Sequence, residues 1–374
     1  MRIKSFEFNL RELAGAMGDF GTLLPLAIGY IAIFGLEPSG LLIMIGLANI
    51  VSGLVYKLPM PIEPMKVIAV VAIAQQWTPS MVYASGFAMG IIWLIFALTG
   101  LIKWIEKFTP KSVIHGIQAS LGILLAIEAF NMISTGWALG VISIFIVIIL
   151  KNNRFAPAAL VLMVVGFGMV YFEGNFQNIS MPSFTIPQFT TFTFNELWQV
   201  LFLAGFAQIP LTITNATLAT SNLIRHYWPE KPVSAIHLSW NQGIMNTLLP
   251  FFGGMPLCHG AGGLASQYYF GARTGGANII EGLIEICLGL FFSASIVGIF
   301  TFFPMAIIGG MMILVGIELT KFAWSAKFSI DIIPLVITVI VALLTNMAIG
   351  FISGITIHYT IKFFNGTNKR IKQL

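Results

Sequence analysis

The sequence predicts an all-α polytopic membrane protein with about fourteen spans, built as two inverted repeats of seven whose two half-helices meet at mid-membrane. Three observations lead there. First, of 374 residues 57% are hydrophobic and 9% charged, with a mean hydropathy of +0.91, whereas soluble domains carry about 25% charged residues. At roughly 20 residues per span, fourteen spans consume about 280 residues, which leaves no room for a large soluble domain. Second, three proline motifs recur: Leu24-Pro25-Leu26 with Ile209-Pro210-Leu211, Met60-Pro61-Ile62 with Met255-Pro256-Leu257, and Phe108-Thr109-Pro110 with Phe302-Phe303-Pro304, at offsets of 185, 195 and 194 residues. Near-constant offsets mark a duplicated unit, and an odd number of spans per unit inverts the second copy. Third, the connections alternate in charge. Lys103, Lys107, Lys111, Arg225, Lys231, Arg273 and Lys362 fall on one side, while 36–40, 77–79, 131–136 and 174–194 hold no Lys or Arg. This positive-inside pattern puts both termini in the cytoplasm and accounts for the net charge of +5 without nucleic acid.

Taken in order, apolar runs and their Gly, Pro and polar punctuation place the first repeat (1–173) in spans at 12–34, 39–57, a short 61–76, 80–103, 112–130, 135–150 and 155–172. A polar, aromatic-rich extracellular connection covers 174–194. The second repeat (195–374) reads as 196–218, 233–252, a short 257–270, 276–300, 304–319, 330–344 and 346–364. Thr345 and Asn346 punctuate weakly, so the last two runs also read as one re-entrant element. The charged amino end lacks a small-residue cleavage site, so its first apolar run is expected to be retained. Glycine spacings such as Gly46 to Gly53 and Gly309 to Gly316 fit close helix packing.

The two short spans are the points of interest. Each is preceded by Pro- or Gly-rich chain that cannot continue a helix: Leu58-Pro59-Met60-Pro61-Ile62-Glu63-Pro64-Met65-Lys66 in one copy, Met255-Pro256-Leu257-Cys258-His259-Gly260-Ala261-Gly262 in the other. Irregular backbone at membrane depth is tolerated only where protein buries it or it lines a cavity. If a new helix starts after each break, its first amides lack partners and carry partial positive charge. Two such ends facing each other make an anion site.

Within that frame, the amides around Met65, Lys66, His259, Gly260 and Ala261 are expected to hold the anion, with Pro64, Cys258 and Gly262 alongside. Lys66 reads either as a ligand for the anion or as a partner of Glu63 three residues earlier. Glu63 reads as a proton-coupling carboxylate or as the static counter-charge of Lys66. Asp19, in Gly18-Asp19-Phe20-Gly21-Thr22, interrupts the first span and either lines the cavity or caps an irregular turn. Gln208, Thr212 and Asn215 share one face of a helix and offer neutral groups to an oxyanion or to a neighbouring helix. Glu281, Glu285 and Glu318 serve packing or ion coupling. A catalytic Cys258–His259 pair is rejected, because adjacent helical residues diverge by about 100°. No metal cluster, cofactor or enzymatic activity is expected.

The segments GDFGTLLPL, PMPIEPMK, QIPLTITNA and CHGAGGLASQYYFGARTG resemble the molybdate transporter family, a branch of the sulfate permease superfamily, over nearly the whole chain. The resemblance implies a seven-plus-seven fold of the uracil permease type, with a core bundle (spans 1–4 and 8–11) moving against a gate bundle (spans 5–7 and 12–14). It also implies a substrate between the third and tenth spans, against the first and eighth. Glu63 stands where the family more often has glutamine, and a carboxy-terminal regulatory (STAS) domain is not expected after the last span. Dimerisation is carried over as an expectation.

The function expected is secondary transport of a tetrahedral oxyanion across the cell membrane, molybdate first and sulfate next, by alternating access and coupled to protons. A nucleobase or bicarbonate carrier on the same fold and an anion channel remain the alternatives.

Overall fold

A computed structural model describes residues 2–3, 5–150, 158–324 and 332–371. The span starts read at Phe155 and Ile330 lie outside these, as do the side chains of Asp19, Phe20, Gly21, Thr22 and Glu318. A small hairpin, β1 (Arg2–Ile3) with β2 (Phe6–Glu7), precedes α1 (Leu10–Ala16). The first apolar stretch is broken as read: a 3-10 turn over Met17–Asp19 separates α1 from α2 (Phe20–Phe34). There follow α3 (Pro38–Tyr56), β3 (Glu63–Pro64), α4 (Lys66–Gln75), α5 (Pro79–Thr99), α6 (Ile102–Phe108), α7 (Lys111–Ile133), α8 (Trp137–Leu150) and α9 (Ala158–Phe172). The run read as 80–103 stops earlier, at Thr99, because Gly100 takes the left-handed conformation (φ 69°) that closes a helix end.

In the second half, α10 (Phe194–Val200), α11 (Phe206–Leu211) and α12 (Thr220–Tyr227) form one continuous rod, Phe194–Tyr227, joined by π-helical segments at Leu201–Gly205 and Thr212–Ala219. A capping box starts it: the Thr193 hydroxyl accepts from Glu196 N, and the Glu196 carboxylate accepts from Thr193 N. The rod runs past residue 218, where the apolar pattern ended, because its last turns are amphipathic. Then come α13 (Ala235–Leu248), β4 (Leu257–Cys258), α14 (Ala261–Phe270), α15 (Gly276–Phe302), α16 (Met305–Trp324), α17 (Ile332–Leu344) and α18 (Met347–Ile371). The break at Thr345–Asn346 separates two helices that pack on each other.

A helix therefore occupies each stretch read as apolar. Among the described residues, six helices are long and apolar enough to cross a bilayer, with shorter apolar helices between them. The chief packing pairs each join one helix from either half: α3 with α15, α5 with α13, and α7 with α16. Glycines set the closeness of the first pair. A Cβ on Gly46 would sit 2.6 Å from Gly282 O, and one on Gly53 would sit 2.6 Å from Gly275 O, so these backbones touch directly. The buried core runs continuously through α2, α4, α5, α7 and α16 and encloses both helix breaks.

Candidate anion site at the paired helix breaks

The two breaks meet. β3 and β4 pair antiparallel, with Glu63 opposite Cys258 and Pro64 opposite Leu257. Met65 N donates to Pro256 O at 2.9 Å, and α4 and α14 depart from this short ribbon with their amino ends adjoining. The outer edges of the ribbon are closed by side chains that act as substitute strands. Asn278 Oδ1 accepts from Met60 N at 2.8 Å while its Nδ2 donates to Met60 O at 2.6 Å. Asn246 does the same for Leu257, at 2.7 Å in both directions. The fully buried His259 ring donates through Nδ1 to Pro61 O at 3.1 Å, and its Nε2 lies 3.1 Å from Asn241 Oδ1. The non-helical backbone thus has polar partners at membrane depth, as it must.

Lys66 Nζ and Glu63 Oε2 form an ion pair of 2.8 Å, with the carboxylate 1% exposed and the lysine 17% exposed. The Glu63 carboxylate lies on the amino end of α14. A Cβ added at Gly260 or Gly263 would overlap its oxygens, so these glycines are there for close approach. One turn of α14 remains open. Gly262 is exposed, and nothing lies within 4 Å of where its Cβ would be. At Ala261, Gly262 and Gly263 the amides precede the first intrahelical bond of α14, Leu264 N to Gly260 O at 3.0 Å.

The amino end of α4 is already capped. Gln208 Oε1 accepts from Val67 N at 2.8 Å and from Ile68 N at 3.3 Å, while its Nε2 donates to Thr212 Oγ1 at 2.6 Å. In this conformation Gln208 and Thr212 position α4, while at α14 the N-cap residue, Gly260, makes no side-chain cap. The α-helical phase that aligned Gln208 with Thr212 does not extend to Asn215, because the π segment begins at Thr212. Thr217 and Thr220 hydroxyls donate five residues back, to Thr212 O and Asn215 O. The backbone of Met17–Asp19 lies against α14, where a Cβ on Gly18 would sit 2.8 Å from Gln267 backbone. Cys258 is a buried free thiol.

Against known proteins, the family model described as "Molybdate transporter of MFS superfamily" matches residues 11–125 and 201–319. Molybdate transporter 1 of Arabidopsis thaliana is 30% identical over 93% of this chain and 87% of its own length. The chain belongs to the molybdate transporter family. Another relative, the putative sulfate transporter YbaR of Bacillus subtilis, is 26% identical over 90% of this chain and 73% of its own. Among solved structures, the transmembrane domain of the cyanobacterial bicarbonate transporter BicA superposes with a TM-score of 0.66 at 18% identity, covering 92% of this chain and 97% of that one. Murine Slc26a9 in the inward-facing state gives 0.72 at 12% identity, over 98% and 70%. These likenesses show the fold, and the chain is a multi-pass membrane protein of a transporter family.

In this molybdate transporter family member, an open cavity of ≈ 580 Å³ flanks α14, lined by Tyr227, Ala265, Ser266, Tyr268, Tyr269 and Arg273. Gly262, Ser266 and Tyr269 follow one another at intervals of three or four residues on α14, so its first turn and the cavity share a face, with Arg273 just beyond the end of the helix. The Arg273 guanidinium lies 3.7 Å from the centre of the Tyr268 ring, which is itself stacked on Tyr227 at 4.0 Å. The polar residues around the breaks that the sequence did not single out are Asn49, Asn241, Asn246 and Asn278. Their only signal was an amide inside an otherwise apolar run. Asn49 ties the set to Glu285, donating from Nδ2 to Glu285 Oε2 at 2.9 Å and accepting from Asn278 at 2.7 Å.

Proposed function

We propose that this protein transports molybdate, with sulfate as its nearest competitor. The reading rests on the Lys66–Glu63 ion pair lying against the amino end of α14, where Gly262 is exposed, in a member of the molybdate transporter family. A tetrahedral dianion fits amide donors on one side and a cation on the other, without a metal or cofactor. Gln208 and Thr212 hold α4 in place. The cavity beside α14, with Arg273 at its rim, is the cytoplasmic vestibule. The core bundle (spans 1–4 and 8–11) rocks against the gate bundle (spans 5–7 and 12–14) in the cell membrane, with both termini inside.

Glu63 supplies the coupling. As a carboxylate it occupies the electropositive end of α14 and binds Lys66, in competition with the substrate; a proton on Glu63 frees both for the anion. Purified protein in liposomes should therefore accumulate labelled molybdate when the substrate side is acidified, with tungstate and sulfate competing and uracil and bicarbonate not. Glu63→Gln should keep molybdate binding and flatten the pH profile. Uptake indifferent to the proton gradient, with Glu63→Gln unchanged in its pH profile, would refute the coupling. Competition by uracil or bicarbonate but not sulfate would refute the substrate.

A further inference from the structure

A second cavity, ≈ 790 Å³, lies in a groove between α3 and α13. Its walls are apolar and outward-facing: Leu47, Val51 and Val55 on α3, Ile244 and Leu248 on α13, each 41–63% exposed. Its floor is polar and stitched together, with Ser52 and Asn241 side chains 3.4 Å apart and Tyr56 Oη donating to His237 O at 3.1 Å. One end carries Lys57 and Lys231, both exposed, together with His237 and Trp240. Lys57 holds a left-handed backbone (φ 56°) at the α3 terminus, a conformation glycine adopts at lower cost.

We propose that this groove is a binding site for one phospholipid with an anionic headgroup. Length, polarity and charge point to that occupant. From Leu47 to Lys57 the helix rises roughly 15 Å, at about 1.5 Å per residue. That is half of the roughly 30 Å hydrocarbon core, the depth of one leaflet. An acyl chain therefore fills the apolar part while the headgroup phosphate meets two ammonium groups, and the Trp240 indole sits where amphipathic rings favour the membrane interface. A second copy of this chain fits less well, because a two-fold interface through the groove would set Lys57 and Lys231 opposite their own counterparts. The seated lipid packs over Asn241, whose side chain lies 3.1 Å from the His259 ring, so the groove is one residue removed from the second helix break.

Native mass spectrometry of the delipidated protein, titrated with phosphatidylglycerol or phosphatidylcholine, tests this. One phosphatidylglycerol per chain should bind at least tenfold tighter than phosphatidylcholine. Lys57→Gln and Lys231→Gln should each weaken it about fivefold, the factor for a lysine near an anionic surface, and together abolish the preference. Val51→Trp should fill the groove and exclude both lipids, while gel filtration reports the fold intact. Equal binding of the two lipids to the wild-type chain would overturn the proposal, as would a preference that survives the double lysine change. A disulfide-linked dimer from Val51→Cys would assign the groove to a second copy and overturn it as well.

Discussion

Lys66→Ala is expected to weaken molybdate binding by about 30- to 1000-fold, the equivalent of roughly 2–4 kcal/mol for truncating one partner of a desolvated charge pair. Lys66 contributes in two ways that the substitution removes together. Its ammonium is the cation proposed to meet the anion, and it neutralises Glu63, whose carboxylate is 1% exposed and lies on the amino end of α14. Without Lys66, a buried carboxylate faces the incoming dianion uncompensated by that lysine. The two contributions separate in a cycle. Adding Glu63→Gln to Lys66→Ala removes the repulsion and should restore part of the lost affinity, and Lys66→Arg, which keeps the charge, should lose less than tenfold. Isothermal titration of the purified variants with molybdate measures all of them. A Kd for Lys66→Ala within threefold of wild type would place the anion away from this lysine.

Gln208→Leu is expected to be the most damaging substitution for the fold itself. It leaves Val67 N and Ile68 N without their acceptor at the amino end of α4. Each buried donor left unpaired costs about 1–3 kcal/mol, so the two remove about 2–6 kcal/mol from a total stability of about 5–15 kcal/mol. The thermal transition should fall sharply and folded yield with it. Gln208→Glu separates structure from function, since a carboxylate still accepts from both amides and suits a helix amino end. That variant should fold and yet bind molybdate at least tenfold more weakly, because it adds a negative charge beside the site. Fluorescence-detected size exclusion and binding on the same preparation test the pair. Equal stability of the leucine variant and wild type would show that α4 does not depend on this cap.

The apolar stretches were legible because the bilayer imposes one requirement, about 20 apolar residues per span, that composition records directly. The breaks were legible for a related reason: Pro59, Pro61 and Pro64, and the glycines after His259, cannot continue a helix. What closes the breaks was not legible. Asn246 and Asn278 come from helices on either side of the second break, and only the fold sets their amides against Leu257 and Met60. The π segments also left no mark, since a five-residue hydrogen-bond register has no apolar period of its own over so short a run. The phase drawn from Gln208 to Asn215 accordingly holds only to Thr212. The side chain of Gln208 was read as a group offered to the ligand or to a neighbouring helix, and it is turned to the backbone of α4, the second of these. His259 was read through its amide, and its ring joins the two breaks.

An anion seated on the first turn of α14 would cover Gly262, and labelling there reports it. The position is exposed, with nothing within 4 Å of a Cβ there, so Gly262→Cys should be tolerated. Cys258 is buried, and a Cys287→Ser background removes the other thiol. Molybdate should slow modification of that cysteine by a small thiosulfonate reagent, with half-protection at the concentration that half-saturates binding. A modification rate that stays constant while molybdate binds would contradict the account.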